Sequence, residues 1–180
     1  MRPGRRLKIR EEAQALLERA GVARPPVPVE KIARMLDIHV VRSVLKDSDV
    51  SGFYYRQDDQ RVIGINESHP RTRQRFTVAH ELGHALLNAH DNLHVDRSFK
   101  LRDTLSAKGV DSLEIEANAF AAELLMPQEM LVERLRKRGG LDLDDPSAVQ
   151  GLAREFEVST QAMIIRILDL PHAVTANEPW

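Results

Sequence analysis

The chain has 180 residues, 42% of them hydrophobic and 29% charged, with a net charge of −1. Those are globular values, and the length suits one domain with a real core. The balanced charge gives no ground for nucleic acid or an anionic membrane as main partner, and the lack of cysteine excludes disulfides and thiolate metal ligands. The amino terminus is basic but has no apolar h-region, and no run approaches the ~18 apolar residues of a membrane span. A soluble, cytoplasmic protein with no membrane partner is expected.

Residues 1–10 carry Arg2, Arg5, Arg6, Lys8 and Arg10, a run that reads as a solvated tail. An amphipathic helix is predicted over 8–20, with Ala13, Leu16, Leu17 and Ala20 on one face and Gly21 as its stop. Pro25, Pro26 and Pro28 make a stiff link to a second helix over 29–36, which turns Val29, Ile32, Ala33 and Leu36 inward. Strand-like runs follow at 38–42, 52–56 and 61–65, the last two joined by a four-residue hairpin loop, Gln57 to Gln60. Asn66 to Pro70 then leads into a helix, with Ser68 as its N-cap and Pro70 in its first turn.

That helix contains FTVAHELGHALL at 76–87, an instance of the H-E-x-x-H pattern. His80 and His84 are four residues apart and therefore lie on one helical face. The spacing lets two imidazoles reach one tetrahedral zinc, with Glu81 beside them as general base. At about 100° per residue, His80, His84, Thr77, Glu81 and Asn88 fill a polar arc of roughly 100°. Apolar or small residues fill about 200° of the remainder. A surface helix would carry Lys, Arg or Glu on its wet face, so this one reads as a buried metal-binding helix.

A polar stretch runs from 89 to about 111 and holds His90, His94 and Asp96; a loop of that length is usually functional or mobile. Helices are predicted at 112–126, 128–138, 147–156 and 160–168, and the tail from Pro171 reads as unstructured. With no cysteine, a third metal ligand must be His, Asp or Glu. On helix 112–126, Glu114 and Asn118 lie within about 40° of each other, whereas Glu116 and Glu123 fall near 180–200° from Glu114. Glu116 and Glu123 then mark the wet side, and Glu114 points inward as third ligand. Asn118 is placed to hydrogen-bond the outer nitrogen of a ligand histidine.

FTVAHELGHALL followed by EIEANAFAAELLMP resembles the ImmA/IrrE metallopeptidases, bacterial and phage zinc-dependent proteins that cleave DNA-binding repressors. The resemblance covers roughly residues 28–170. It implies an α+β, zincin-like fold, mostly helical with a small three-stranded sheet, in a single domain over 1–180. Residues 1–27 would be its N-terminal helix and linker, and 146–170 a helical pair packed on the core. It also implies Zn2+ held by His80, His84 and a downstream Glu, with Glu81 catalytic, in a gluzincin-like endopeptidase. The spacing Glu114-x-x-Ala117-Asn118 is similar to the Glu-x-x-Ala-Asp signature of HtpX-type zinc peptidases. Asn118 departs from that Asp, and a neutral amide makes its histidine less basic. Many members of the family carry a fused DNA-binding or sensor module, and none is expected here beside the peptidase core.

The expected partner is a protein substrate, a helix-turn-helix repressor. Tyr54, Tyr55, His90 and His94 are open candidates for a second oxyanion donor. The alternative is a regulator that binds DNA through 151–168. Its second helix, however, carries Met163, Ile164, Ile165, Ile167 and Leu168 with Arg166 as its one basic residue, so packing on the core is the better reading. A zinc-stabilised interaction domain would have no need of Glu81.

Overall fold

A computed structural model describes residues 1–45, 47, 49–87, 93–97, 107–138 and 146–170. Seven helices and four strands lie among them: α1 (Pro3–Arg19), α2 (Val29–Met35), β1 (His39–Ser43), β2 (Val50–Gln57), β3 (Gln60–Asn66), α3 (Arg71–Leu87), β4 (Leu93–Arg97), α4 (Ala107–Leu125), α5 (Gln128–Lys137), α6 (Pro146–Phe156) and α7 (Thr160–Leu168). The fold is α+β and mostly helical. Its sheet order is β1-β3-β2-β4, with β1 parallel to β3 and the other pairs antiparallel.

The sheet holds the three expected strands and a fourth. β4 falls inside the stretch read as a polar loop, and the same stretch also supplies the first turns of α4, which begins at Ala107 rather than 112. The hairpin is tighter than expected, because Gln57 pairs with Gln60 and only Asp58 and Asp59 turn the corner. Asp58 takes φ 50°, the left-handed conformation that Asp tolerates better than most residues. Ser68 does not cap α3; its amide and hydroxyl both bond Asn66 Oδ1, and Gln74 Nε2 instead donates to the carbonyls of Glu67 and His69. The tail from Pro171 lies outside the described residues.

The basic start is not a solvated tail. Pro3 supplies the fixed φ that suits a first helical turn, and α1 runs from it with Ile9, Ala13, Leu16 and Leu17 buried. The basic residues that flank this buried stripe meet acids far along the chain. Arg5 donates to Glu116 at 2.6 Å, Arg10 Nε to Glu123 at 3.3 Å, and Arg6 pairs with Asp169. Glu116 and Glu123 accordingly do not mark a wet side of α4, because α1 covers them. Glu123 is buried, and Arg166 Nη1 donates to it at 2.9 Å. Burial pushes the Arg166 guanidinium below its ordinary value, while the charge of Glu123 and its hydrogen bonds act against that. Arg166 also donates from Nε to the Met126 carbonyl at 3.0 Å. The one basic side chain of α7 is thus committed to the interior and is not available to a phosphate.

Helix α3 packs between the sheet and α4. Its contact with α4 depends on Gly83, where a Cβ would lie 3.0 Å from Ala117 Cα and 3.2 Å from the Ala117 carbonyl oxygen. Backbone atoms of a packed helix cannot swing aside. Gly83→Ala should gain up to about 1 kcal/mol of helix propensity but lose about 1–3 kcal/mol to overpacking. A net loss of stability is expected in denaturant unfolding; a raised midpoint would contradict the close approach.

Candidate metal centre

Residues 77 to 84 of α3 are all buried, the two histidines and Glu81 included. Helical spacing stacks His80 over His84, with ring centroids 4.7 Å apart and their Nε2 atoms 3.1 Å apart. Helix α4 brings Glu114 to the same point. Its Oε2 lies 3.4 Å from His80 Nε2 and its Oε1 3.3 Å from His84 Nε2. His80, His84 and Glu114 are all buried, and among the described residues they form the group able to hold a metal ion, their donor atoms all within 4.8 Å of one another.

These separations test the fit of a cation. Ligands held tetrahedrally at about 2.0–2.1 Å from zinc have donor atoms roughly 3.3–3.4 Å apart. The two Nε2 atoms are 3.1 Å apart, and each lies 3.3–3.4 Å from its nearer Glu114 oxygen, close to that figure. The donor chemistry agrees with the geometry. His80 Nδ1 lies 3.0 Å from Asn118 Oδ1, and an amide oxygen only accepts, so Nδ1 carries the proton and Nε2 turns its lone pair inward. Two imidazole nitrogens and a carboxylate gathered in a buried space are a donor set suited to a divalent ion.

The sequence reading and the structure therefore bring His80, His84, Glu114 and Asn118 together, with Glu81 following His80 on the same helix. Of the suggested oxyanion donors, the structure describes the side chains of Tyr54 and Tyr55. Tyr54 is a buried core residue, and the Tyr55 hydroxyl donates to Gln57 Oε1 at the hairpin. His94 stands opposite Tyr54 in the β2–β4 register, its side chain outside the described residues, and His90 lies outside them altogether. One neighbour escaped the sequence reading. Phe76 stacks on His80 with centroids 6.2 Å apart and planes inclined by 28°. Its position four residues before His80 placed it on that face, but the wheel grouped it with the core.

The profile of the IrrE N-terminal-like domain, a peptidase family, matches residues 33–168. An uncharacterized immunity region protein of Bacillus phage phi105 is 30% identical over 148 residues, 82% of this chain and 85% of that protein. Metallopeptidase ImmA of Bacillus subtilis is 29% identical over 127 residues, 71% of this chain and 68% of the relative. The radiation response metalloprotease IrrE of Deinococcus radiodurans is 32% identical over 112 residues, 62% of this chain but 32% of the longer relative. A solved Mycobacterium tuberculosis transcriptional regulator aligns with a TM-score of 0.62 at 17% identity, over 89% of this chain and 46% of that one. At that identity the likeness concerns the fold alone.

Proposed function

The chain belongs to the ImmA/IrrE metallopeptidase family, and we propose that it is a zinc-dependent, gluzincin-like endopeptidase that cuts a DNA-binding repressor. The observation that carries the reading is the meeting of two buried imidazole Nε2 atoms and the Glu114 carboxylate at one point, each Nε2 within 3.4 Å of a carboxylate oxygen. His80, His84 and Glu114 would hold the ion. Zinc held there supplies Lewis-acid polarisation of a carbonyl and makes water a nucleophile near neutral pH. Glu81 accepts the proton of the attacking water and passes it to the amine nitrogen released when the peptide C–N bond breaks. Asn118 fixes the tautomer of His80, and the burial of all four charged or titratable groups keeps bulk water from competing.

The repressor as substrate draws support from the phage relative, which is named for an immunity region. Repressors act in the cytoplasm, and the reading places this chain there; no helix among the described residues is long and apolar enough to cross a membrane. A substrate strand could add to an edge of the sheet, which suits an extended or locally unfolded segment. We take residues 1–180 as one peptidase unit, with 1–27 as helix and linker and 146–170 as a packed helical pair. The ion pairs from α1 to α4 and α7 and the Arg166–Glu123 pair support that division.

The direct test is co-incubation of the purified protein with the repressor encoded beside its gene, with and without chelator, read by mass spectrometry. One chelator-sensitive cut is expected; an intact repressor in the presence of zinc-loaded protein would remove this function. A second expectation concerns Asn118. Asn118→Ala should weaken zinc about 10–100-fold, as loss of an outer hydrogen-bond partner does. Asn118→Asp should tighten it, because a carboxylate makes the imidazole more basic. Competition with a chromophoric chelator measures both, and an Ala variant of unchanged affinity would free Asn118 of this role.

A further inference from the structure

An open groove of about 560 Å³ runs between α3, α4 and α7, lined by Phe76, Asn118, Ala122, Met126, Ala162 and Ile165 among others, with a wall that is almost entirely apolar. Two of these residues also touch the candidate metal centre. Phe76 stacks on His80, and Asn118 Oδ1 accepts from His80 Nδ1. The groove and the donor cluster therefore share walls. Its size lies within the roughly 300–1,000 Å³ of ligand sites and exceeds a single side chain.

The charged groups at its border are already engaged. Arg166 pairs with Glu123, Asp169 with Arg6, and Arg73 Nη2 donates to Ser51 Oγ at 2.8 Å. Arg166 and Asp169 are thus charge-paired, while Arg73 is held by a neutral hydroxyl at the rim of an otherwise apolar wall. Ile165 is 60% exposed and extends the apolar surface outwards, which costs free energy until something apolar covers it.

We propose that this groove is a specificity site of the peptidase, receiving apolar side chains (Leu, Ile, Met or Phe) of the substrate polypeptide next to the scissile bond. The proposal rests on the peptidase reading for the identity of its occupant. Continuity with His80 points to the substrate, and the almost wholly apolar wall points to its apolar residues.

The test has two readouts on the zinc-loaded protein of residues 1–180. In the first, methyl NMR follows Met126, Ala122, Ala162 and Ile165 during titration with N-acetyl-leucinamide, and with N-acetyl-aspartamide as control. Saturable shifts are expected with the first ligand and none with the second. In the second, a peptide library made by digesting a bacterial proteome is offered to the enzyme, and the cut sites are read by mass spectrometry. A preference of about tenfold or more for Leu, Ile, Met or Phe beside the cut bond is expected. Ile165→Asp and Ala122→Phe should each lose it while zinc uptake stays unchanged. Ile165 is exposed, so its variant keeps the test available if Ala122→Phe fails to fold. Silent methyls, or cleavage without apolar preference, would overturn the proposal. Responding methyls with no cleavage of any peptide would sink the peptidase reading and leave an apolar ligand site in its place.

Discussion

Glu81→Gln is expected to keep the fold and take up zinc, yet to cleave its substrate about 10²–10⁴ times more slowly. The amide has nearly the shape of the carboxylate, so the packing around this buried residue persists. Both imidazoles and Glu114 remain to hold the metal. What disappears is the oxygen proposed to take a proton from water, and general acid–base contributions of about 10²–10⁴-fold are typical. Single-turnover cleavage by wild type and variant, each with its zinc content measured, separates catalysis from metal loading. A zinc-replete variant cutting at the wild-type rate would end the assignment of Glu81 as base.

Glu114→Ala is expected to lower zinc affinity by more than the roughly 10–100-fold that loss of an outer partner causes, because it removes one of three direct donors. The control is Glu116, two residues away on the same helix. Its carboxylate accepts from Arg5 at 2.6 Å, with the two side chains 34% and 17% exposed. Glu116→Ala should therefore cost up to about 1 kcal/mol of stability, the scale of a partly exposed pair, and leave zinc binding unchanged. Chelator competition and thermal melts of the two variants decide the matter. Metal lost with Glu116→Ala and kept with Glu114→Ala would overturn the ligand assignment.

Much of the site was legible because it is written within two helices. His80, Glu81 and His84 fall at fixed offsets on α3, and a helical wheel separates Glu114 from Glu116 without knowledge of the fold. The same wheel failed for Glu123. Periodicity shows which residues share a face but not what covers that face, and the cover here is α1, whose Arg10 lies 113 residues away in sequence. β4 was missed for a related reason. Its apolar residues Leu93 and Val95 are 60% and 41% exposed, so the alternation along this edge strand carries no imprint of the core. The groove was hidden because its wall is assembled from three helices whose apolar residues, taken singly, look like ordinary packing.

The clasp between α1 and α4 also sets an order of events as the chain is made. Helix α1 is synthesised before α4, and a protein helix draws most of its stability from tertiary packing. The partners of Arg5 and Arg10 follow 111 and 113 residues later, roughly 6–23 s at translation speeds of about 5–20 residues per second. Until then the stripe of Ile9, Ala13, Leu16 and Leu17 lacks the surface on which it finally rests. Glu114, the last of the proposed metal ligands, arrives on that same helix. Docking of α1 and completion of the candidate donor cluster thus await a single later helix, and a nascent chain interrupted before α4 holds only the two-histidine half of the candidate centre.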